Sequence, residues 1–124
     1  MSYKLKSLGT YSAGFNTKGG TIRRWYRIWV ITLDGSDLYR WAVTENCNLS
    51  YFLIKLLGHK EELDINESNL IIFRTMFDHS NYWKSFSDAR SILDKRGPKR
   101  ALEFLLDKFA KVALADKLKV GNSK

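Results

Sequence analysis

The sequence predicts an α+β fold, with an N-terminal antiparallel sheet of three to four strands and C-terminal helices packed on one of its faces. Apolar and polar side chains alternate along residues 21–43, which is typical of strands with one buried face. The C-terminal part instead places Leu102, Leu105, Phe109 and Val112 three or four residues apart, as on one face of a helix. The order of these patterns puts the sheet first and the helices after it.

The chain begins with two segments of different character. Residues 3–8 alternate apolar and polar side chains and predict a first short strand. Residues 12–20 contain three glycines and few side chains that could pack, so we expect a mobile loop there. Phe15 and Lys18 lie in this segment, where a ring and a cation could close over a ligand.

A β-hairpin is predicted next, because Asp34-Gly35 supplies two residues that tolerate positive φ in a tight type I′ turn. With a two-residue turn, Trp29 lies opposite Arg40, whereas a three-residue turn sets Trp29 opposite Trp41. We favour the first register because it separates an arginine and tryptophan face from an apolar one. The first face then collects Arg23, Trp25, Arg27, Trp29, Ile31, Leu38, Arg40 and Ala42. The second face, which is predicted as core, collects Ile22, Tyr26, Ile28, Val30, Tyr39, Trp41 and Val43.

The middle of the chain predicts one helix and one further apolar element. Residues 49–59 form a short helix with Asn48 as its N-cap, and the acidic run from Glu61 to Glu67 is a solvated connection. Residues 70–77 are rich in β-branched and aromatic side chains and predict a strand. A buried helix also fits so short an apolar run, and the sequence leaves both interpretations open.

Two helices are predicted at the C-terminal end. The first is capped by Ser87 and runs to about Arg96, where Gly97 ends it. The second begins at Pro98 and runs to about residue 115 or beyond. The polar tail over residues 116–124 is expected to fray.

Length and composition favour a single globular domain over residues 1–124. At 44% apolar residues, the chain can bury a core without disulfides or metal, and its single cysteine, Cys47, fits a reducing compartment. No stretch has the length of a membrane span or the apolar core of a signal peptide. We therefore expect a soluble intracellular protein, cytoplasmic or nuclear, without a membrane partner.

The net charge of +8 is unevenly distributed. Residues 1–44 carry seven basic and two acidic groups, a net of +5, and residues 79–124 carry eleven and five, a net of +6. Residues 45–78 carry three basic and six acidic groups, a net of −3. Such a distribution favours a polyanionic partner at the basic ends of the chain.

The segment Thr21–Thr32 carries the strongest indication of a partner. As a strand, it points Arg23, Trp25, Arg27 and Trp29 out of one face, an arrangement we call the ladder. Guanidinium groups pair with phosphates and indole rings stack on bases, so the ladder, with Arg40 beside it, predicts a nucleic-acid surface. The opposing interpretation is that one of the C-terminal helices covers this face and makes the indoles core.

A second cationic cluster, which we call the basic corner, surrounds Gly97-Pro98. It consists of Lys95, Arg96, Lys99 and Arg100. The free amides of the helix that begins there also favour anions, so the basic corner predicts phosphate contacts. A solvated turn explains the same residues without a ligand. No recognition-helix pattern supports a helix-turn-helix here.

The sequence gives little support for catalysis or for a cofactor. Two histidines and one cysteine do not make a metal cluster, and the glycine-rich segment matches no nucleotide-binding fingerprint. We therefore predict a non-catalytic protein without metal or cofactor that binds nucleic acid, single-stranded DNA or RNA above duplex. The alternative is a protein-interaction module, such as a small inhibitor or adaptor, that uses the same arginine and tryptophan surface. The oligomeric state stays open.

Overall fold

The computed structural model describes residues 1–121, with side chains placed through residue 118. The chain forms two compact units, Met1–Ile65 and a second that begins at Asn66. The predicted α+β class is confirmed, because a four-stranded antiparallel sheet at the N-terminus is followed by C-terminal helices. None of the described helices is long and apolar enough to cross a membrane.

The N-terminal unit is a sheet with one helix. Its elements are β1 (Tyr3–Thr17), β2 (Gly20–Leu33), β3 (Ser36–Thr44), α1 (Asn48–Leu57) and β4 (Glu62–Ile65). The strands lie in the order β3-β2-β1-β4, and every neighbouring pair is antiparallel. The acidic run after α1 is therefore an edge strand and not only a solvated connection.

Helix α1 packs on the ladder face of the sheet. The indole N–H of Trp29 donates to Oγ of Ser50 at 3.3 Å, and both side chains are fully buried. Leu49, Phe52 and Leu53 of α1 are also fully buried and complete this core. The helix is capped by Cys47, whose sulfur accepts the backbone N–H of Ser50, and not by Asn48 as the sequence predicts.

The turn between β2 and β3 has the predicted two residues. Asp34 and Gly35 have φ values of 49° and 89°, as a type I′ turn requires, and Leu33 lies opposite Ser36. One position further, β3 inserts an extra residue, Leu38, as a bulge. The tight turn therefore does not set the register of the whole hairpin.

The bulge makes the predicted pairing of Trp29 with Arg40 wrong. Trp29 lies opposite Trp41, and Arg40 lies opposite Val30. Because one inserted residue moves every later side chain to the other face, Arg40 leaves the ladder face, and Tyr39, Trp41 and Val43 join it. The alternation in the sequence is real, but it cannot show where a strand carries an extra residue.

The predicted mobile loop over residues 12–20 is mostly strand. β1 continues to Thr17 and pairs with β2 through Thr17 opposite Gly20, so only residues 18–19 form the turn. A bulge also interrupts β1, where Ser7 lies opposite Trp29 and Gly9, at φ 106°, lies opposite Ile28. Pairing with β2 satisfies the backbone of this glycine-rich segment, which its composition does not show.

The far part of the first hairpin forms a two-stranded ribbon, which we call the arm. β3 pairs with β2 only from Tyr26 onward, and β4 pairs with β1 only over Tyr3–Lys6. Residues 10–25 therefore have no third strand beside them within the described chain. At a rise of about 3.4 Å per residue, eight residues extend the arm by about 25 Å.

The C-terminal unit contains a short 3-10 turn (Glu67–Asn69) and the helices α2 (Leu70–Asp78), α3 (Trp83–Arg96) and α4 (Pro98–Gly121). The segment 70–77, for which the sequence leaves a strand and a buried helix open, is α2, and it buries Phe73, Met76 and Phe77 at helical spacing. Its composition favours a strand, but packing of its apolar face stabilises the helix, because intrinsic propensity is only a weak preference.

Helix α3 starts earlier than predicted, and helix α4 ends later than predicted. α3 begins at Trp83, before the predicted cap Ser87, and Gly97 ends it as expected, directly after Arg96. α4 begins at Pro98 as predicted but continues to Gly121, so residues 116–121 of the tail that was expected to fray are helical. Residues 122–124 lie outside the described part. Phe86 of α3 stacks on Phe109 of α4, with ring centroids 5.2 Å apart.

Candidate nucleic-acid interface

The four ladder residues share one face of β2, as the alternation predicts, but their surroundings differ sharply. The Trp25 side of the strand lies in the arm, where the residue is 59% exposed. The Trp29 side lies under α1, where the indole is fully buried. The ladder therefore runs from solvent into the core, and each member has its own role.

Trp29 does not belong to a nucleic-acid surface. Its ring is fully buried and its N–H is bonded to Ser50, so neither face of the indole can receive a base. The prediction that Trp29 contacts nucleic acid is wrong at this position. The opposing interpretation expects a C-terminal helix over both indoles, whereas the helix over Trp29 is α1 and Trp25 is exposed.

Arg27 is engaged in a structural clamp. Its Nε and Nη2 atoms donate to the two carboxylate oxygens of Glu45 at 3.0 and 2.9 Å, and Nη1 donates to Oγ of Ser7 at 3.1 Å. Its side chain is only 23% exposed. The predicted phosphate contact would require breaking this bidentate pair, so Arg27 is a poor candidate for the site.

Arg40 lies apart from the other candidates. The bulge in β3 turns it to the opposite face of the sheet, and Nη2 donates to Oδ2 of Asp37 at 2.6 Å. Its prediction as a neighbour of the ladder is therefore wrong. This exposed pair is held near the turn, away from the strand positions that Arg23 and Trp25 occupy.

Two predicted residues remain together on the arm. Arg23 and Trp25 lie on the same face of β2, and Nη1 of Arg23 donates to Oγ of Ser12 on the neighbouring strand at 3.1 Å. This bond positions the guanidinium without neutralising it. The arm, residues 10–25, contains Lys18, Arg23 and Arg24 and no acidic residue, so its field is positive throughout.

The other face of the arm carries an aromatic cluster that the sequence pattern alone did not indicate. Tyr11 stacks on Tyr26 with centroids 5.5 Å apart, and Phe15 meets Tyr26 edge-on at 6.3 Å. Tyr11, Phe15 and Ile22 are 40%, 46% and 48% exposed. The period-two spacing of Tyr11, Ala13 and Phe15 could have indicated this strand face, had its glycines not suggested a loop.

A cleft of about 410 Å³ opens where the arm leaves the sheet, and we call it the arm-base cleft. Its lining consists of Arg23, Arg24, Trp25, Thr44, Glu45 and Asn46. The backbone N–H of Glu45 donates to the carbonyl oxygen of Trp25 at 2.8 Å, which fixes the segment after β3 against β2. The cleft thus places the guanidinium of Arg23, an exposed indole and uncharged polar groups side by side.

At the opposite end of the sheet, Lys4 is paired with a carboxylate. Nζ of Lys4 lies 2.9 Å from Oε2 of Glu62 on β4. The hydrogen bond to Glu62 raises the pKa of Lys4 above its ordinary value, and the negative charges of Glu62 and Asp64 add to this effect. The acidic edge strand therefore compensates Lys4 of β1, whereas the arm contains no carboxylate.

The basic corner occupies the predicted place between two helices. Lys95 and Arg96 end α3, Lys99 and Arg100 lie in the first turn of α4, and all four are exposed. The backbone N–H of Gly97 donates to the carbonyl oxygen of Leu93 and closes α3. The structure therefore brings these four cations together on the C-terminal unit.

Cys47 and His79, two groups that could carry other chemistry, each have a partner in the structure. The sulfur of Cys47 caps α1, and Nε2 of His79 lies 2.9 Å from Oδ2 of Asp116. No group of three His, Cys, Asp or Glu side chains in the described chain could hold a metal ion.

Comparison of the chain with protein-family models, with curated proteins and with solved structures finds no match.

Proposed function

We propose that this is a non-catalytic nucleic-acid-binding protein that holds single-stranded DNA or RNA along its arm. The observation that carries the proposal is the exposed indole of Trp25 beside the guanidinium of Arg23, on a ribbon without acidic side chains. A cation next to a ring is the combination that binds a phosphate and stacks on the adjacent base.

Exposure of Trp25 supports this role on energetic grounds. A large ring left 59% exposed gives up much of the free energy that its burial would supply. Stacking on an unpaired base covers the ring again and contributes about 1–3 kcal/mol per base. The same strand buries Trp29 completely, so the fold can cover an indole of β2 where a helix lies over it.

Single strands are favoured over duplex because the arm presents rings on both faces. A two-stranded ribbon has a width that the major groove of B-DNA admits. Inside a duplex, however, the bases are stacked on each other and offer no free surface to Trp25 or Phe15. Unpaired bases offer that surface, and the arm's cations can follow their backbone.

The basic corner supports the proposal as a second positive surface. Its four exposed cations flank the start of α4, where the helix dipole also favours anions. We propose that it adds phosphate contacts that are independent of base identity.

One observation favours the alternative of a protein-interaction module. The aromatic cluster of Tyr11, Phe15 and Ile22 is an exposed apolar surface of the composition that dominates protein interfaces. In this alternative, the arm inserts into a protein groove and binds no oligonucleotide.

The test is binding of fluorescent oligonucleotides of about 12 nucleotides, single-stranded and duplex, a length within known site sizes. Affinity for the single strand should fall more than tenfold from about 50 to about 200 mM salt if about four phosphates are neutralised. Trp25→Ala should weaken binding by about 5- to 150-fold.

Trp83→Ala is the matched control, because Trp83 is 65% exposed but lies at the start of α3 in the other unit. It should leave binding unchanged. If no oligonucleotide binds at low salt, the proposal fails. Tighter binding of duplex than of single strand would replace the stacking mechanism with groove binding.

A further inference from the structure

We infer that the arm-base cleft holds one unpaired nucleotide and prefers adenine as its base. This inference deepens the proposed function and depends on it. In the assignment, Trp25 stacks on the base, Asn46 reads its edge, and Arg23 contacts its phosphate.

Hydrogen bonds fix the segments that form the cleft. The segment after β3 is joined to β2 by the backbone bond from Glu45 to Trp25, at 2.8 Å. The clamp between Arg27 and Glu45 fixes the same segment through side chains, at 2.9 and 3.0 Å. The backbone N–H of Cys47 donates to the carbonyl oxygen of Thr44 at 3.2 Å and closes the segment before α1. A nucleotide would therefore meet a preorganised surface, which lowers the entropy that binding costs.

The cleft has a positive charge available for a phosphate. Both carboxylate oxygens of Glu45 are taken by Arg27, so the acid in the cleft wall is compensated and does not repel a phosphate. Arg23 is positioned by Ser12, a neutral partner, and keeps its full charge. Arg23 supplies the positive charge of the cleft, because strand alternation turns the side chain of Arg24 to the other face, where it lines a second cleft with Ile22 and Tyr26. The cleft is therefore positive in spite of its carboxylate.

The side chain of Asn46 is placed to recognise the base. Asn46 is exposed, lines the cleft, and makes no side-chain hydrogen bond with the described residues. An asparagine amide presents a donor and an acceptor side by side, which matches the N6 amino group and N7 on the Hoogsteen edge of adenine, an edge on which thymine offers O4 and a methyl group. With the indole of Trp25 in the same cleft, stacking and edge recognition can act on one base.

The size of the cleft agrees with this ligand. Its volume of about 410 Å³ lies near the lower end of the range for small-molecule pockets. A single nucleotide is therefore a better match than a larger cofactor. Since only one base is held in this way, the remaining bases of a bound strand would be recognised without strong sequence preference.

The experiment compares two single-stranded oligonucleotides of about 12 nucleotides. One is all thymidine, and the other carries one central adenosine. The unmodified protein should bind the adenosine-containing strand at least about fivefold more tightly. Asn46→Ala should bring this ratio to one while the affinity for all-thymidine DNA stays the same, which also shows that the variant is folded. Asn81→Ala, at an exposed position of the other unit, is the control and should keep the ratio.

The outcomes separate this inference from the proposed function. If the protein binds neither strand, the proposed function fails, and the inference fails with it. If both strands bind equally, the arm binds nucleic acid but the assignment of the cleft is wrong. If Asn46→Ala keeps the preference for adenosine, Asn46 does not read the base and the assignment is also overturned.

Discussion

The two ends of the N-terminal sheet use the same residue types for different purposes. At the end that carries α1 and β4, three cations are paired with carboxylates and a tryptophan is buried. The pairs are Lys4 with Glu62, Arg27 with Glu45 and Arg40 with Asp37, and the buried indole is Trp29.

In the arm, by contrast, Arg23 has only a hydroxyl partner and Trp25 is 59% exposed. Both ends belong to the same two long strands, and the ladder positions alternate in the same way along them. The difference is set by the neighbours, because α1, β3 and β4 contact only one end. An arginine and tryptophan pattern therefore indicates a binding surface only where no other element covers it.

The largest expected effect separates the two ladder tryptophans. Trp29→Ala should lower the free energy of unfolding by about 3–5 kcal/mol, because it removes a fully buried ring and leaves a cavity. Trp25→Ala should change stability by less than about 0.5 kcal/mol. Urea unfolding of both variants measures the difference. Equal destabilisation by the two substitutions would show that the arm is packed like the core.

A smaller effect is expected at the clamp. Arg27→Ala should cost about 1–3 kcal/mol, because Glu45 then loses both of its charged hydrogen bonds in a half-buried place. Asp37→Ala, which breaks an exposed pair, should cost less than about 1 kcal/mol. The same unfolding experiment compares them. If Asp37→Ala is the more costly variant, the clamp does not organise this end of the sheet.

The smallest stability effect is expected at the basic corner. Replacing Lys99 and Arg100 with Ala should leave the free energy of unfolding within about 0.5 kcal/mol, since both side chains are exposed. Binding of single strands should weaken evenly across sequences, and the log–log salt slope should fall by about one unit per lost phosphate contact. An unchanged salt slope in the double variant would limit the interface to the arm.

The sequence predicts features that depend on local chemistry better than bulges and contacts between distant segments. The α+β class, the two-residue turn at Asp34-Gly35 and the start of α4 at Pro98 follow from local chemistry, and the structure confirms them. The bulge at Leu38 does not follow, because it inserts a residue into an intact alternation. Residues 12–17 form a strand and residues 70–77 form a helix, because pairing and packing with distant segments outweigh their local preferences.

The candidate site was predictable only in part, for a related reason. Strand alternation correctly groups Arg23 with Trp25, since side-chain direction is a local property. It cannot show that α1 covers Trp29, or that Glu45 engages Arg27, because both depend on long-range contacts. Asn46 belongs to no sequence pattern that indicates binding, and only its place beside Trp25 in the cleft makes it a candidate.

The most direct test of the arm as the binding surface is mapping of backbone amide chemical shifts as a single-stranded oligonucleotide is added. The account predicts the largest shifts in the arm, residues 10–25, and in the cleft segment around Asn46, with β4 (Glu62–Ile65) unchanged as an internal reference. Shifts centred on β4, or an arm that does not respond while the oligonucleotide binds elsewhere, would contradict it.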